Sequence, residues 1–168
     1  MKYLHLIRHA KSSWKDPNQQ DKDRPLNKRG KRDAPMMGSR LRSQDVLPDL
    51  ILSSPARRAL KTAKIVAVEI GYPEIDIEIQ ENIYLGGIRE LMNTLREIDN
   101  RYQRVFLFGH NPTITDLANS LARTHVNNIP TCGIFSCQFP VDSWEEVDRG
   151  KGVFVSFDYP KKDPDYAL

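Results

Sequence analysis

The sequence predicts an α/β fold, a three-layer sandwich in which a mostly parallel, doubly wound sheet is flanked by helices. Short apolar runs alternate with helical patterns along the chain, as in proteins built from βαβ units. The run at 104–108 is apolar almost throughout, which is typical of a strand buried on both faces. Because the chain has 168 residues and no linker or repeat, we expect one domain over residues 1–168, with a frayed tail from about residue 160.

Each element follows from a local pattern in the sequence. The strands are predicted at 2–7, 50–52, 75–79, 104–108, 134–139 and 152–157. The helices are predicted at 27–43, 54–70, 88–98 and from 113 to about 121. One late strand is expected to pair antiparallel at an edge of the sheet. The long polar segment 8–25 is the kind of loop that carries function.

Polar side chains predict where three of the helices begin. Asn27 is expected to cap the first helix, and Pro35 to kink that helix or delay its start. Ser54-Pro55 is expected to start the second helix, with the serine at the cap and the proline at the first helical position. Thr113 and Asp116 are expected to form a capping box for the last helix.

The composition is ordinary, with 39% hydrophobic residues, 28% charged residues and a net charge of +3. A net charge this small argues against nucleic acid and anionic membranes as partners, since both need a concentrated basic face. Cys132 and Cys137 lie an odd number of positions apart in one strand region, so a mutual disulfide is not expected. They also lack the spacing of a zinc site. No signal peptide or membrane span is evident, so a cytoplasmic location is expected.

Three predicted strands end on groups that bind anions. Arg8-His9 ends the first strand, and Gly109-His110 ends the central one. The second strand leads into a helix with Arg58 in its first turn. The carboxyl ends of neighbouring parallel strands, roughly 5 Å apart, meet at one edge of a sheet. Two arginines, two histidines and a helix N-terminus there predict a pocket for a dianionic oxyanion, for which phosphate is the natural candidate.

Each of these groups also has an ordinary explanation when it is taken alone. Arg8 and His9 could be solvated residues at a strand end, and His110 a hydrogen-bonded histidine of the core. Anion-binding groups at all three strand ends are not expected by coincidence. For His5, inside a strand, and His125, past a helix end, we keep the ordinary structural interpretation.

The motifs around these residues resemble the histidine phosphatase superfamily over nearly the whole chain. The segment 8–12 resembles its Arg-His-Gly signature, here with alanine for glycine, and 53–62 its S-x-x-x-R-A-x-x-T helix start. Within the superfamily, 23–30, 110–112 and 129–131 are most similar to SixA-type phosphohistidine phosphatases. The resemblance implies a phosphoglycerate mutase-like fold.

The resemblance also implies a mechanism. Neutral His9 attacks phosphorus and is transiently phosphorylated, while Arg8, Arg58 and His110 hold the phosphoryl oxygens. No metal or cofactor is expected, since the arginines supply the positive charge. Glu81, in an E-x-x-Y segment, is the candidate general acid by resemblance to the mutases, and a solvated carboxylate is an equal alternative.

Further residues are expected at the rim of the pocket by the same resemblance. These substrate contacts are Lys11, Ser12, Arg24 and Thr131. Trp14 either covers the pocket or packs within its loop. The oligomeric state is left open by the sequence.

We therefore expect a metal-independent phosphatase that acts on phosphohistidine carried by a protein, such as a phosphotransfer domain. One alternative is a phosphatase of a small phosphorylated metabolite, which would need a deeper pocket. A second alternative is a non-catalytic module that binds phosphate or phosphoproteins. A mutase is less expected, because it usually needs a closing lid to retain its substrate.

Overall fold

The computed structural model describes residues 1–162 and confirms the α/β fold class. The strands are β1 (Lys2–Arg8), β2 (Leu50–Ser53), β3 (Glu78–Ile79), β4 (Arg104–Gly109), β5 (Ile134–Phe139) and β6 (Val153–Asp158). The helices are α1 (Lys28–Ser43), α2 (Arg57–Ile70), α3 (Asn82–Leu85), α4 (Ile88–Arg96) and α5 (Thr113–Ala122). Most of the predicted tail from residue 160 lies outside the described residues.

The six strands form one sheet in the order β3-β2-β4-β1-β5-β6. The first four of these pair in parallel, whereas β5 lies antiparallel to β1, and β6 antiparallel to β5. An antiparallel late strand was predicted at an edge. That strand is β6, which pairs antiparallel with β5 at the edge of the sheet, and β5, inside the sheet, is antiparallel to β1 as well.

Two apolar cores, one on each face of the sheet, hold the three layers together. Leu4 and Leu6 of β1 pack in one core with residues of α4 and α5. Ile7 packs in the other core with residues of α1 and α2. Because successive side chains of a strand point to opposite faces, one short apolar strand serves both layers. The rigid support for β1 matters because this strand leads directly into Arg8 and His9.

Helix α1 begins where the sequence predicts it, since the Asn27 side chain accepts a hydrogen bond from the Gly30 amide at 2.9 Å. It runs through Pro35, so the expected delayed start is wrong. Gly30 packs against the loop before α1, where a Cβ atom would overlap the carbonyl oxygen of Lys11. This contact fixes the first helix against the loop that follows His9.

The predicted caps of α2 and α5 are wrong. The amide of Ser54 donates to the Phe108 carbonyl at 3.1 Å, so Ser54 continues the β2–β4 ladder and Ala56 becomes the N-cap of α2. Thr113 is already helical in α5, whose N-cap is Pro112, so Thr113 and Asp116 form no capping box. In both cases the backbone of the preceding strand end determines where the helix starts.

The third predicted strand is much shorter than expected. Residues Glu74–Asp76 form a 3₁₀ turn after Pro73, which leaves only Glu78–Ile79 paired with β2. Ile75 is 92% exposed, so the apolar and acidic alternation of this segment does not reflect a buried strand face. The short helix α3 follows and was not predicted.

Candidate active site

The predicted convergence of three strand ends is present, because β4 lies between β1 and β2. Arg8 pairs with Gly109, and Ser53 pairs with Phe108, so the three strands end level with one another. The residues that follow these ends bring His9 within 5.2 Å of His110, measured between ring centroids. The site is therefore at the carboxyl edge of the parallel strands, where open α/β sheets bind ligands.

His9 is a buried, neutral imidazole whose tautomer is fixed. Its Nδ1 atom lies 2.7 Å from the Ala10 carbonyl oxygen, which can only accept, so Nδ1 carries the proton. Nε2 therefore keeps its lone pair. Burial, together with the charges of Arg58 and Arg8, lowers the pKa of His9 to about 3 although the bond to Ala10 opposes this. The ring is uncharged and nucleophilic at neutral pH.

The backbone around His9 is held from several sides. The His9 amide donates to the Gly109 carbonyl at 3.1 Å, and the Ala10 amide donates to the Thr62 hydroxyl at 3.0 Å. The Thr62 hydroxyl in turn donates to the Arg58 carbonyl at 2.7 Å. These bonds link β1 to β4 and to the first turns of α2, so His9 and Arg58 keep one relative position.

His110 pairs with a serine that the sequence indicated only as a helix cap. Its Nε2 atom lies 2.7 Å from Ser54 Oγ, which also accepts from the Ala56 amide. Its Nδ1 atom is buried with no partner among the described residues. Burial, followed by the charge of Arg58, lowers the pKa of His110 to about 4. When the Ser54 hydroxyl donates to Nε2, Nδ1–H is free to donate to an oxyanion.

The two arginines are positioned by carbonyl oxygens. Arg8 donates from Nη1 to the Ile129 carbonyl at 3.1 Å, and Arg58 donates from Nη1 to the Asp21 carbonyl at 2.7 Å. The Nε atoms of both arginines are buried without a partner among the described residues. Such donors favour an anion in the pocket, because an unmet buried donor is costly.

Asp21 is a site residue that the sequence analysis missed. Its carboxylate accepts from Arg58 at 3.0 Å, from Arg24 at 3.1 Å and from the Tyr84 hydroxyl at 2.7 Å. Burial works to raise the pKa of Asp21, but the hydrogen bonds from Tyr84 and Arg58 outweigh it and lower the pKa to about 2. No sequence signal marks this residue, because two of its partners, Arg58 and Tyr84, lie far from it along the chain.

The predicted rim residues fall into two groups. Arg24 is buried and donates to Ser12 Oγ at 2.7 Å, and its guanidinium lies 3.6 Å from the ring of exposed Trp14. Lys11 is half-buried, and Thr131 is buried beside the turn that holds Arg8. Of these four residues, Arg24 is linked to Arg58 through their shared partner Asp21, and Ser12 is linked through Arg24.

Glu81 is placed differently from the other predicted catalytic residues. It precedes α3, its side chain is 63% exposed, and its nearest charge is Lys22 at 3.8 Å. Among the described residues, no hydrogen bond or ion pair joins Glu81 to the two histidines or two arginines. Tyr84, three positions later, does reach the site, since its ring lies 5.5 Å from that of His110.

Within residues 1–162, no group of three histidine, cysteine, aspartate or glutamate side chains is arranged to hold a metal ion. No helix of residues 1–162 is both long enough and apolar enough to cross a bilayer.

The fold and the site define an α/β protein whose parallel strand ends bring together two histidines and two arginines. Residues 4–86 match the model of the histidine phosphatase superfamily, branch 1. A phosphoglycerate mutase of Bifidobacterium longum, dependent on 2,3-bisphosphoglycerate, is 41% identical over 64 residues, which cover 37% of this chain and 26% of the mutase. The chain belongs to the histidine phosphatase superfamily, which contains phosphatases and mutases.

Other relatives extend the similarity over most of the chain. An uncharacterised chloroplastic protein of Arabidopsis thaliana is 32% identical over 152 residues, which cover 86% of this chain and 69% of that protein. The protein histidine phosphatase SixA, solved with tungstate, has the same fold, with a TM-score of 0.81 and 22% identity over 94% of this chain and 97% of that one. A phosphoserine phosphatase variant of Entamoeba histolytica, solved with phosphoserine, has a TM-score of 0.68 and 18% identity over 96% and 98% of the two chains.

Proposed function

We propose that this protein is a metal-independent phosphatase that dephosphorylates phosphohistidine on a partner protein, such as a phosphotransfer domain, in the cytoplasm. One observation carries the proposal: His9 is neutral, its Nε2 lone pair is free, and the ring lies beside His110 and close to the charges of Arg58 and Arg8. A phosphoryl group needs a nucleophile in line and positive charge around its equatorial oxygens. These residues supply both.

The reaction proceeds in two steps. In the first, the His9 Nε2 lone pair forms an N–P bond while the bond from phosphorus to the leaving group breaks. Arg8, Arg58 and the Nδ1–H of His110 stabilise the charge on the phosphoryl oxygens. In the second, water attacks phosphorus, the N–P bond breaks, and phosphate leaves while His9 returns to the neutral form. When the substrate is phosphohistidine, solvent protonates the ring nitrogen that does not carry phosphorus, and the leaving group departs as a neutral imidazole.

The source of that proton favours phosphohistidine over a sugar or alkyl phosphate. An imidazole has a pKa of roughly 6.5, whereas an alkoxide is far more basic and needs a positioned acid. Glu81, the candidate acid, is exposed and lies against Lys22. The pKa of Asp21 is lowered to about 2, so its carboxylate holds no proton at neutral pH. Neither Glu81 nor Asp21 is therefore positioned and protonated to act as the general acid. This supports a substrate whose leaving group departs without such an acid, and the fold similarity to SixA agrees with this.

The rim residues enter the proposal as substrate contacts. Arg24 extends the positive surface from Arg58 through their shared partner Asp21. Ser12 accepts a hydrogen bond from Arg24, Lys11 follows the Arg8-His9 segment along the chain, and Thr131 precedes Cys132, whose amide donates to the Arg8 and His9 carbonyls.

The test compares wild type with His9→Ala in buffer that contains EDTA. Phosphoramidate, a phosphohistidine peptide and a chromogenic phosphate ester serve as substrates. We expect turnover and an acid-labile phosphoenzyme in the wild type, neither of which forms in the variant. Faster turnover of the phosphohistidine peptide than of serine phosphate and sugar phosphates would support the proposed substrate, and the reverse order would favour a metabolite phosphatase. Inactivity of the wild type with all substrates would leave the binding module as the better explanation.

A further inference from the structure

A groove beside the site carries positive charge that the reaction itself does not use. The cationic groove, about 350 Å³ in volume, lies between α1 and α2. It is lined by Lys31, Arg57, Lys61 and Lys64 around Leu26 and Leu60. No ion pair of the described residues involves any of the four cations.

The arrangement of these cations is unfavourable for the isolated protein. Arg57, Lys61 and Lys64 follow the spacing i, i+4, i+7, so they share one face of α2, where like charges repel one another. Neither α1 nor α2 has an acidic residue in its first turn, where the helix dipole favours acids and disfavours cations. The cations and both helix N-termini therefore add to one positive field.

The cationic groove adjoins the phosphate site along the chain at two points. Arg57 lies next to Arg58 of the site, and Pro25, which also lines the groove, follows Arg24. From Arg57 to Lys64 the groove spans about 10 Å along α2, the length of about three residues of extended chain. A small metabolite in the site does not extend along this surface, whereas a polypeptide that presents a phosphoryl group to His9 does.

We propose that the cationic groove docks an acidic segment of the phosphorylated partner protein, adjacent to its phosphohistidine. The inference rests on the proposed function and names the chemistry of its partner. Carboxylates of the segment pair with Lys31, Lys61 and Lys64, and apolar parts of its side chains pack on Leu26 and Leu60. Docking of this kind lowers KM and leaves the chemical step at His9 unchanged.

The test uses two phosphohistidine peptides that differ only in their flanks, three aspartates on each side or three asparagines on each side. We expect the wild type to show a kcat/KM on the order of tenfold higher for the aspartate peptide, carried by KM, since each exposed pair contributes modestly. The advantage shrinks in 0.5 M salt, because exposed charges are screened. Phosphoramidate, which is too small to reach the groove, serves as the internal reference.

The key variant is Lys61→Glu with Lys64→Glu, and its control is Arg149→Glu with Lys151→Glu, which makes the same charge change at exposed positions outside the groove. We expect the ratio of kcat/KM for the aspartate peptide to kcat/KM for phosphoramidate to fall at least tenfold in the first variant and to stay constant in the control. An equal effect of both variants, or a wild type that does not distinguish the peptides, would overturn the proposal.

The outcome is separable from a failure of the proposed function. If the wild type hydrolyses none of these substrates, calorimetric binding of the unphosphorylated aspartate peptide still tests the groove, with the same variants and the same expected loss. An oligonucleotide of equal charge that binds as tightly as the peptide would show unselective attraction of polyanions, and would contradict docking of an acidic protein segment.

Discussion

Asp21 holds Arg58 by two hydrogen bonds, one to its carboxylate at 3.0 Å and one to its backbone carbonyl at 2.7 Å. An acidic side chain thus already pairs with the Arg58 guanidinium, to which we assign the binding of phosphate. The same carboxylate binds Arg24, so Asp21 also sets the distance between the two arginines. A phosphate dianion that enters the pocket meets Arg58 already paired with a negative charge.

Asp21→Asn is expected to tighten the binding of inorganic phosphate. The amide keeps the shape of the side chain but removes its repulsion of the dianion, which we put at about 1 kcal/mol because Asp21 is half exposed and screened by solvent. The inhibition constant of phosphate against phosphoramidate should fall about fivefold. Asp23→Asn, an exposed neighbour, is the control and should leave it unchanged. Weaker phosphate binding in Asp21→Asn would mean that the carboxylate mainly positions the arginines.

Ser54→Ala is expected to lower kcat about tenfold, or about 1.4 kcal/mol, with a smaller change in KM. The Ser54 hydroxyl holds His110 at Nε2, and its loss frees the ring to rotate or to change tautomer. Steady-state kinetics with phosphoramidate measures both constants. Ser53→Ala is the matched control, because the Ser53 hydroxyl donates to a backbone carbonyl only, and its kcat should stay within twofold. Equal losses in the two variants would point to a general packing defect.

Acid is expected to destabilise the fold through two buried histidines, His5 and His9, and the half-buried His110. The folded-state pKa is about 3 for His5 and His9 and about 4 for His110, against roughly 6.5 in the unfolded chain. Between these values the unfolded chain binds more protons, so the free energy of unfolding rises with pH and falls as pH drops below about 6.5. The slope approaches about 1.4 kcal/mol per pH unit for each histidine.

Urea unfolding between pH 7.5 and 4.5 measures that slope. The His5→Phe variant should lose about one histidine's share of it, whereas His125→Gln, at an exposed position, should retain the wild-type slope. A slope that does not change in His5→Phe would show that this ring is protonated in the folded state.

The fold was predictable because the spacing of apolar residues indicates which faces of the strands and helices are buried. The strand runs at 104–108 and 134–139 reappear almost unchanged as β4 and β5, since side chains on both faces of each are buried. The strand predicted at 75–79 is reduced to Glu78–Ile79, because Ile75 and Ile79 are exposed and no second layer covers them. Periodicity predicts burial only where another layer is present.

The site was predictable where it depends on strand ends and unpredictable where it depends on loops. Parallel topology alone brings His9 and His110 together, so their convergence follows from the pattern of strands. Asp21 reaches Arg58 across 37 positions, through a loop whose path no local signal specifies. Ser54 was recognised as a polar residue at a helix start, but its contact with His110 depends on the register of β2 and β4.

Glu81→Gln is expected to change turnover of phosphohistidine peptide by less than threefold. Glu81 is exposed and its nearest charge is Lys22, so it does not deliver a proton to a group held at His9. An imidazole leaving group needs little help from a proton donor, so the substitution should have little effect on this substrate. The informative comparison is an alkyl phosphate, whose leaving group needs an acid. If turnover of the alkyl phosphate alone fell 100-fold or more, Glu81 would be a general acid that moves into the pocket. A phosphatase of small metabolites would then be the better explanation. Leu85→Ala, at an exposed position of the same short helix, controls for disturbance of α3.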